Sequence, residues 1–361
     1  MKTIGQPFIG IFIVLGLVWG ITGGCSKQKK TEAKSRKPVT QAVSHEARGE
    51  AQRCGCDDEL NDIFFISRTT LPPGATPPAT NIEGRVGFIA GKANTLLKTM
   101  DGGTTWRRIL ERKTEGPHFT RIFFMNTNEG WAVSRDMLLH TRDSGETWIP
   151  AKILPENFYY FGPCAATAVA YYQMQPPTCG ASVWQTRNGG VSWAALPTHL
   201  PRNDFGAVFF FDDRQGWVAG NYGLTARTED GGQTWQEQTL TDGGRLSQIQ
   251  FVSPQTGWMR ADLGHKGNLW ASRDGGRSWQ AQPLGIASYW NVEDMQFLDA
   301  QIGFILIHVE AKINQVMRTL DGGATWEIIG IHPVNIAALC FISATEGWVV
   351  GAGGCVFHYQ L

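Results

Sequence analysis

Six acidic or amide side chains stand in near copies of one phrase. They are Asp101 in TMDGGTTW, Asp143 in TRDSGETW, Asn188 in TRNGGVSW, Asp230 in TEDGGQTW, Asp274 in SRDGGRSW and Asp321 in TLDGGATW. Repeated carboxylates raise two chemistries, cation ligation and acid–base catalysis. A calcium loop packs six to eight oxygen ligands into a dense pattern, and no phrase carries one. A short Asx side chain does something simpler: it accepts hydrogen bonds from backbone N–H groups two or three residues ahead. The glycine after it takes positive φ without a Cβ penalty. The hydroxyl residue then enters a strand, and the Trp offers a large apolar face. The phrase therefore reads as a tight hairpin turn with a Trp anchor, a structural element.

Other side chains are tested the same way. A glycosidase needs two carboxylates about 5–9.5 Å apart across a cleft. Asp212, Asp213, Asp262, Glu293 and Asp294 lie near strand ends and are the candidates, although sequence does not pair distant acids. The eight histidines are scattered singly, so no metal spacing arises. The CGC at Cys54 and Cys56 has no second close cysteine pair and no nearby histidine, which argues against zinc. No metal or cofactor is expected. Six cysteines follow Cys25, namely Cys54, Cys56, Cys164, Cys179, Cys340 and Cys355. In an exported chain an even set suggests disulfides, with many pairings open. Cys164 and Cys179 bracket one strand and are expected to pair, and Cys54 or Cys56 is a candidate partner of Cys355 or Cys340.

The elements that must hold these residues repeat with them. The six Asx positions recur every 42 to 47 residues, a period that marks a repeat architecture. Upstream of the turns lie an apolar run (IFFI at Ile63, RIFFM at Arg121, AVFFF at Ala207) and a Gly-aromatic strand (GFIAG at Gly87, GWAVS at Gly130, GWVAG at Gly216), with a degenerate version, AATAVAYY from Ala165, in the third unit. The runs are short, rich in Val, Ile, Phe and Trp, and bounded by Gly, Asp, Asn and Pro. No sustained helical period follows residue 60. Four strands per unit match a propeller blade. The expected fold is all-β, a seven-bladed β-propeller with the turn between the third and fourth strands of most blades. The last unit supplies three strands only, and the segment near Glu50–Cys56 is the expected donor of the fourth, antiparallel to Cys355–Tyr359. A bare edge there would invite pairing with other chains.

The N-terminus is separate. Residues 1–24 carry an apolar run, Phe8 to Val18, ending in small residues, as an export signal does. TGGC at Cys25 resembles a bacterial lipoprotein signal, in which that cysteine is lipid-modified; an uncleaved anchor and ordinary secretion are the alternatives. Residues 25–50 read as a flexible basic tether, and 51–361 as the propeller. Basic and acidic residues balance at 32 each, which argues against nucleic acid as a main partner.

The turn phrase matches the Asp-box, S/T-x-D-x-G-x-T-W. With the preceding Gly-Trp strand and Gly-containing loop, as in GWVAGNYGLTARTEDGGQTW from Gly216 to Trp235, the chain resembles the photosystem II stability/assembly factor family over roughly residues 57–361. That resemblance implies a seven-bladed, non-catalytic, membrane-tethered exported propeller. Its implied partner is a membrane protein or assembly intermediate, met on the periplasmic or thylakoid-lumen side, and the implied state is a monomer. A sialidase would show an RIP-type phrase, which is absent; a glycoside-acting enzyme and a carbohydrate-binding lipoprotein are the alternatives. The family also shows an arginine-rich contact patch. Arg142, Arg187, Arg227, Arg273 and Arg318 recur beside the turns here and are candidate contacts. The irregular third unit adds Tyr171, Tyr172 and Met174, an aromatic cluster suited to protein contact.

Overall fold

The computed structural model describes residues 49–361 except 114, 135–136, 152–157, 164–168, 176–179, 189, 198–204, 241–243, 262–268, 286–290 and 311–312. For 158–163, 169–175, 180–182 and Glu310 the backbone alone is described. The chain divides into two units, Met1–Gln41 and Ala42–Leu361, and every described residue belongs to the second. The signal, the Cys25 site, most of the tether, Cys164, Cys179 and Asp262 lie outside the described residues.

Each repeat folds into a four-stranded antiparallel sheet in chain order. Blade 1 runs Leu60–Phe65, Gly87–Gly91, Thr95–Thr99 and Arg107–Arg108. Blade 2 runs Phe119–Phe124, Gly130–Ser134, Leu138–Thr141 and Ile149–Pro150, and blade 3 Phe158–Pro163, Val169–Gln175, Gly180–Thr186 and Ala194–Ala195. Blade 4 contains Phe205–Phe210, Gly216–Gly220, Leu224–Thr228 and Gln236–Thr239. Blade 5 contains Leu246–Phe251, Gly257–Ala261, Leu269–Ser272 and Gln280–Ala281, and blade 6 Asn291–Phe297, Gly303–Glu310, Ile313–Thr319 and Glu327–His332. Short outer strands leave little bare edge.

The expectation of seven blades is corrected to six. Six sheets are copies of the repeat, each with its Asp-box. The remaining sheet is not a seventh copy. It is a composite that pairs Glu50–Arg53 with Cys355–Gln360, Glu346–Gly351 and Ile336–Phe341, and it has no Asp-box. In this closing sheet Glu50 lies opposite His358 and Arg53 opposite Cys355, antiparallel. Counting Gly-aromatic strands alone does not separate a copy from a closure, because GWVVG at Gly347 is written like the others. The first strands of successive sheets touch around a central axis, and the cycle closes on itself.

Packing between neighbours follows one rule. In most blades the aromatic of the Gly-aromatic strand stacks on the Phe that ends the next sheet's first strand, whereas Trp131 of blade 2 stacks on His140 of its own blade. Trp217 lies on Phe251, Trp258 on Phe297 and Trp348 on Phe65, each at 3.6 Å between centroids, and Phe304 on Phe341 at 3.7 Å. The box Trp of the receiving blade then meets the same Phe edge-on, as with Trp279 on Phe251 and Trp106 on Phe65. Quadrupoles favour both geometries. The stacked aromatics are almost fully buried, so the core is a ring of inter-sheet seams.

Candidate functional site

The Asp-boxes are built from their own hydrogen bonds. In blade 1 the Thr99 hydroxyl donates to Asp101 Oδ1 (2.7 Å) and accepts from the Gly103 N–H (2.9 Å). Asp101 Oδ1 accepts from the Thr105 N–H (2.9 Å) and Oδ2 from its hydroxyl (2.7 Å). Asp143, Asp230, Asp274 and Asp321 repeat this set. In blade 3 Asn188 keeps the Oδ1 bonds and donates through Nδ2 to the Ser192 hydroxyl (2.8 Å). The Thr147 and Thr234 hydroxyls, followed by the backbone N–H groups of the same residues, hold Asp143 and Asp230 down to about 2. These carboxylates are ionised acceptors with their lone pairs engaged, which suits a turn and not a proton donor.

The box glycines explain the phrase's recurrence. Gly145 has φ 76°, and a Cβ there would stand 2.4 Å from the Phe88 ring of blade 1. Gly276 sits likewise over Trp217 of blade 4, whose Nε1–H donates to the Gly275 carbonyl (3.0 Å). In five blades the box is therefore a clasp over the preceding sheet's aromatic; in blade 4 Gly232 closes on Leu196 instead. Cations tighten it from outside. Arg142 donates to the Asn188 carbonyl (3.2 Å), Arg273 to the Gly322 carbonyl (2.8 Å), and Arg318 to the Ala344 carbonyl (2.7 Å). Lys98, not singled out from sequence, reaches the Ser144 carbonyl at 2.7 Å. The five candidate arginines do not share one position. Arg142, Arg187 and Arg273 follow the box hydroxyl residue, whereas Arg227 and Arg318 precede it, and the five are spread one per blade. Arg227 lines a groove of about 380 Å³ between blades 4 and 5, with Arg214 and Arg277. Glu229 bridges it, paired with Arg227 and with Arg277 at 2.8 Å.

A cavity of about 420 Å³ occupies the ring's centre. Its wall carries Asp62, Arg121, Gln248 and Asp294, all at the bulge that interrupts each first strand. Asp62 Oδ2 accepts from the Ile122 N–H of blade 2 (2.8 Å), and Asp294 Oδ2 from the Leu339 N–H of the closing sheet (3.0 Å). Gln250 exchanges two bonds with Phe297 (2.8 and 2.9 Å), and Gln296 two with Phe341 (3.0 and 2.7 Å). Burial pushes Asp62 up to about 7 against the pull of Arg121, and raises Asp294. Of the acids considered for catalysis, Asp294 is spent on this inter-blade lacing. Asp212 caps a turn through the Arg214 and Gln215 N–H groups (2.8 and 2.6 Å), and Glu293 accepts from Asn291 (2.9 Å). Asp62 was legible as the counterpart of Asp294, since DIFF and DMQF align in the repeat. One mouth of the cavity is bordered by Arg68–Pro77, part of a long loop between the first two strands of blade 1. That loop, not singled out from sequence, is pinned by the Ile66–Val86 backbone bond (2.8 Å) and the Arg68–Glu83 ion pair (2.9 Å).

Tyr171, Tyr172 and Met174 lie on the second strand of blade 3, and their side chains are outside the described residues. Cys54, Cys56, Cys340 and Cys355 are free thiols. Cys340 is buried and accepts from the Phe65 N–H (3.4 Å). Among the described residues no group of His, Cys, Asp and Glu is set to hold a metal, and no helix is long and apolar enough to cross a membrane.

Comparison with known proteins agrees with this geometry. The profile of the photosynthesis system II assembly factor YCF48 family matches residues 79–200. The photosystem II stability/assembly factor HCF136 of Arabidopsis thaliana is 27% identical, over 76% of this chain and 72% of the relative. The photosystem II assembly lipoprotein Ycf48 of Trichormus variabilis is 25% identical, over 76% and 80%. The chain is thus similar to the photosystem II assembly factors, in sequence over three quarters of its length. A solved structure titled YCF48 bound to D1 peptide superposes with a TM-score of 0.64 at 19% identity, covering 90% of this chain and all of that one. At that identity the superposition speaks for the fold. Among the described residues, the boxes and the inner lacing hold blades to one another, whereas the rim groove and the cavity mouth are open concave surfaces.

Proposed function

We propose that the chain is a non-catalytic assembly factor that engages a segment of a photosystem II membrane subunit, or an assembly intermediate containing it. The observation that carries this reading is similarity to the Ycf48 and HCF136 assembly factors across three quarters of the chain. It is supported by a site chemistry in which the box acids, Asp62 and Asp294 are bound up in turns and inter-blade bonds. The peptide-bound relative suggests an extended segment as ligand. Residues 1–24 act as export signal, Cys25 carries the lipid, 25–50 tether, and 51–361 form the binding body, working as a monomer. The basic tether residues Lys27, Lys29 and Lys30 lie along an anionic bilayer surface. Candidate contacts are Arg142, Arg187, Arg227, Arg273 and Arg318 at the rim, with Tyr171, Tyr172 and Met174 on blade 3. The test is fluorescence anisotropy with a labelled D1 peptide and a scrambled control. Saturable binding of the former alone is expected, weakened at least about tenfold by Arg227→Glu with Arg277→Glu. Equal binding of both peptides, or none, contradicts the proposal. Cys25→Ser is expected to move the protein from the membrane to the soluble fraction.

A further inference from the structure

Two of the thiols are placed for chemistry that the scaffold does not need. Cys54 and Cys56 follow the strand Glu50–Arg53 that closes the ring, and their sulfurs are 3.0 Å apart. Three features hold them there. Gly55 between them has φ 73°, which turns the chain back on itself. Cys54 Sγ sits 3.1 Å from the Gly354 carbonyl oxygen, across the seam from the other end of the chain. A Cβ on Gly354 would lie 1.9 Å from the Cys56 carbonyl oxygen, so this glycine makes room for the turn. Beyond the pair, Asp58 is clamped by Arg108 (2.7 Å), Arg112 (2.9 Å) and the Thr95 hydroxyl (2.9 Å). The CGC turn is thus pinned on both sides.

We propose that Cys54 and Cys56 form a reversible dithiol/disulfide exchange site at the ring closure, open to small or protein disulfides. Only about 1 Å of approach separates the thiol contact from a bond. A bond across one residue closes a very small loop, and the chain-entropy gain grows with loop length. It therefore stabilises far less than a bond from either cysteine to Cys355, which would close almost the whole ring, and its value is chemical. The environment also favours reactivity. The hydrogen bond from Cys56 holds Cys54 down to about 7, whereas the Cys56 thiol is raised by the same contact. Cys355 is pushed up to about 11 by burial and stays a thiol. Cys54 is buried, but Cys56 is half-buried between exposed Gly55 and Asp57. In the exchange, Cys56 is the sulfur that an incoming disulfide RS–SR reaches, and the Cys54 thiolate that accepts its hydrogen bond serves as the base, taking the Cys56 proton as Cys56 attacks. A mixed disulfide forms, and one RS⁻ leaves and takes up a proton. Cys54, deprotonated, then attacks the Cys56 sulfur, releasing the second RS⁻. The two thiols are oxidised and RSSR is reduced to two RSH.

The experiment uses the full chain, reduced and then equilibrated in oxidised and reduced glutathione at varied ratios, alkylated and digested with trypsin. Cys54 and Cys56 fall on one peptide, 54–68. The expected result is a peptide about 2 Da lighter than the dithiol, its fraction rising and falling with the ratio, and unchanged in Cys355→Ser. Cys54→Ser should accumulate Cys56 with glutathione attached, about 305 Da heavier, because the resolving thiol is gone. A bond from either residue to Cys355 or Cys340 overturns the proposal. So does full alkylation at the most oxidising ratio, or a bond that stays closed at the most reducing one.

Discussion

At the residue scale, one carboxylate in each of five blades organises a turn through three incoming hydrogen bonds. Replacing Asp101 with Ala removes them all, and the expected loss is about 1–2 kcal/mol in urea unfolding. Asp101→Asn should cost less than half of that, since Asn188 already serves in blade 3 with its amide turned to a hydroxyl. The acids also shape stability against pH, in two directions. Asp143 and Asp230 are depressed in the folded chain to about 2. Their contribution is complete above the unfolded value near ~3.9 and is lost as pH falls through about 2. Asp62 is raised to about 7. Its contribution is complete below ~3.9 and is lost as pH rises through about 7. Melting temperature measured from pH 2 to pH 9 should therefore fall at both ends. Asp62→Asn should flatten the decline between pH 5 and 8 and leave the acid limb in place; an unchanged alkaline limb contradicts the assignment. The turn role of the Asx residues was legible because the donors lie within four positions in sequence. The lacing role of Asp62 and Asp294 was not, because their acceptors serve backbone groups 45 to 60 residues away.

At the element scale, the blade is defined by what it presents to its neighbour. The box glycine is the sharpest case. Gly145→Ala must place a methyl group 2.4 Å from a buried Phe88 ring in a left-handed backbone, at an expected cost of about 2–4 kcal/mol. Gly285→Ala, where φ is 67° and nothing lies within 4 Å, pays for the backbone alone, about 1 kcal/mol. Equal losses in the two variants, read by chemical denaturation, would falsify the clasp. Strand type, turn and repeat were all legible from periodicity and the Gly-aromatic phrase. The stacking partner was not, because it belongs to the next repeat: Trp217 meets Phe251, and Trp258 meets Phe297. The arginines show the same limit. They look alike beside each turn, yet the fold sends Arg142 and Arg273 onto the next box and Arg227 into a groove.

At the scale of the whole molecule, six repeat blades and one composite sheet make a ring whose closure rests on a four-residue strand from the N-terminal side. The missing strand and its donor were legible from the last unit's length. The blade count was not, because the closing sheet copies the Gly-Trp strand of the repeat while lacking its turn. A ring sealed in this way keeps every first strand between two neighbours. The most direct test of this account is thermal unfolding of the chain deleted for residues 26–53, beside the full chain at several protein concentrations. Loss of the closing strand should lower the melting temperature by at least about 5 °C and produce concentration-dependent association through the open edge of Cys355–Gln360. A truncated protein that stays monomeric and melts within about 1 °C of the full chain would contradict the account.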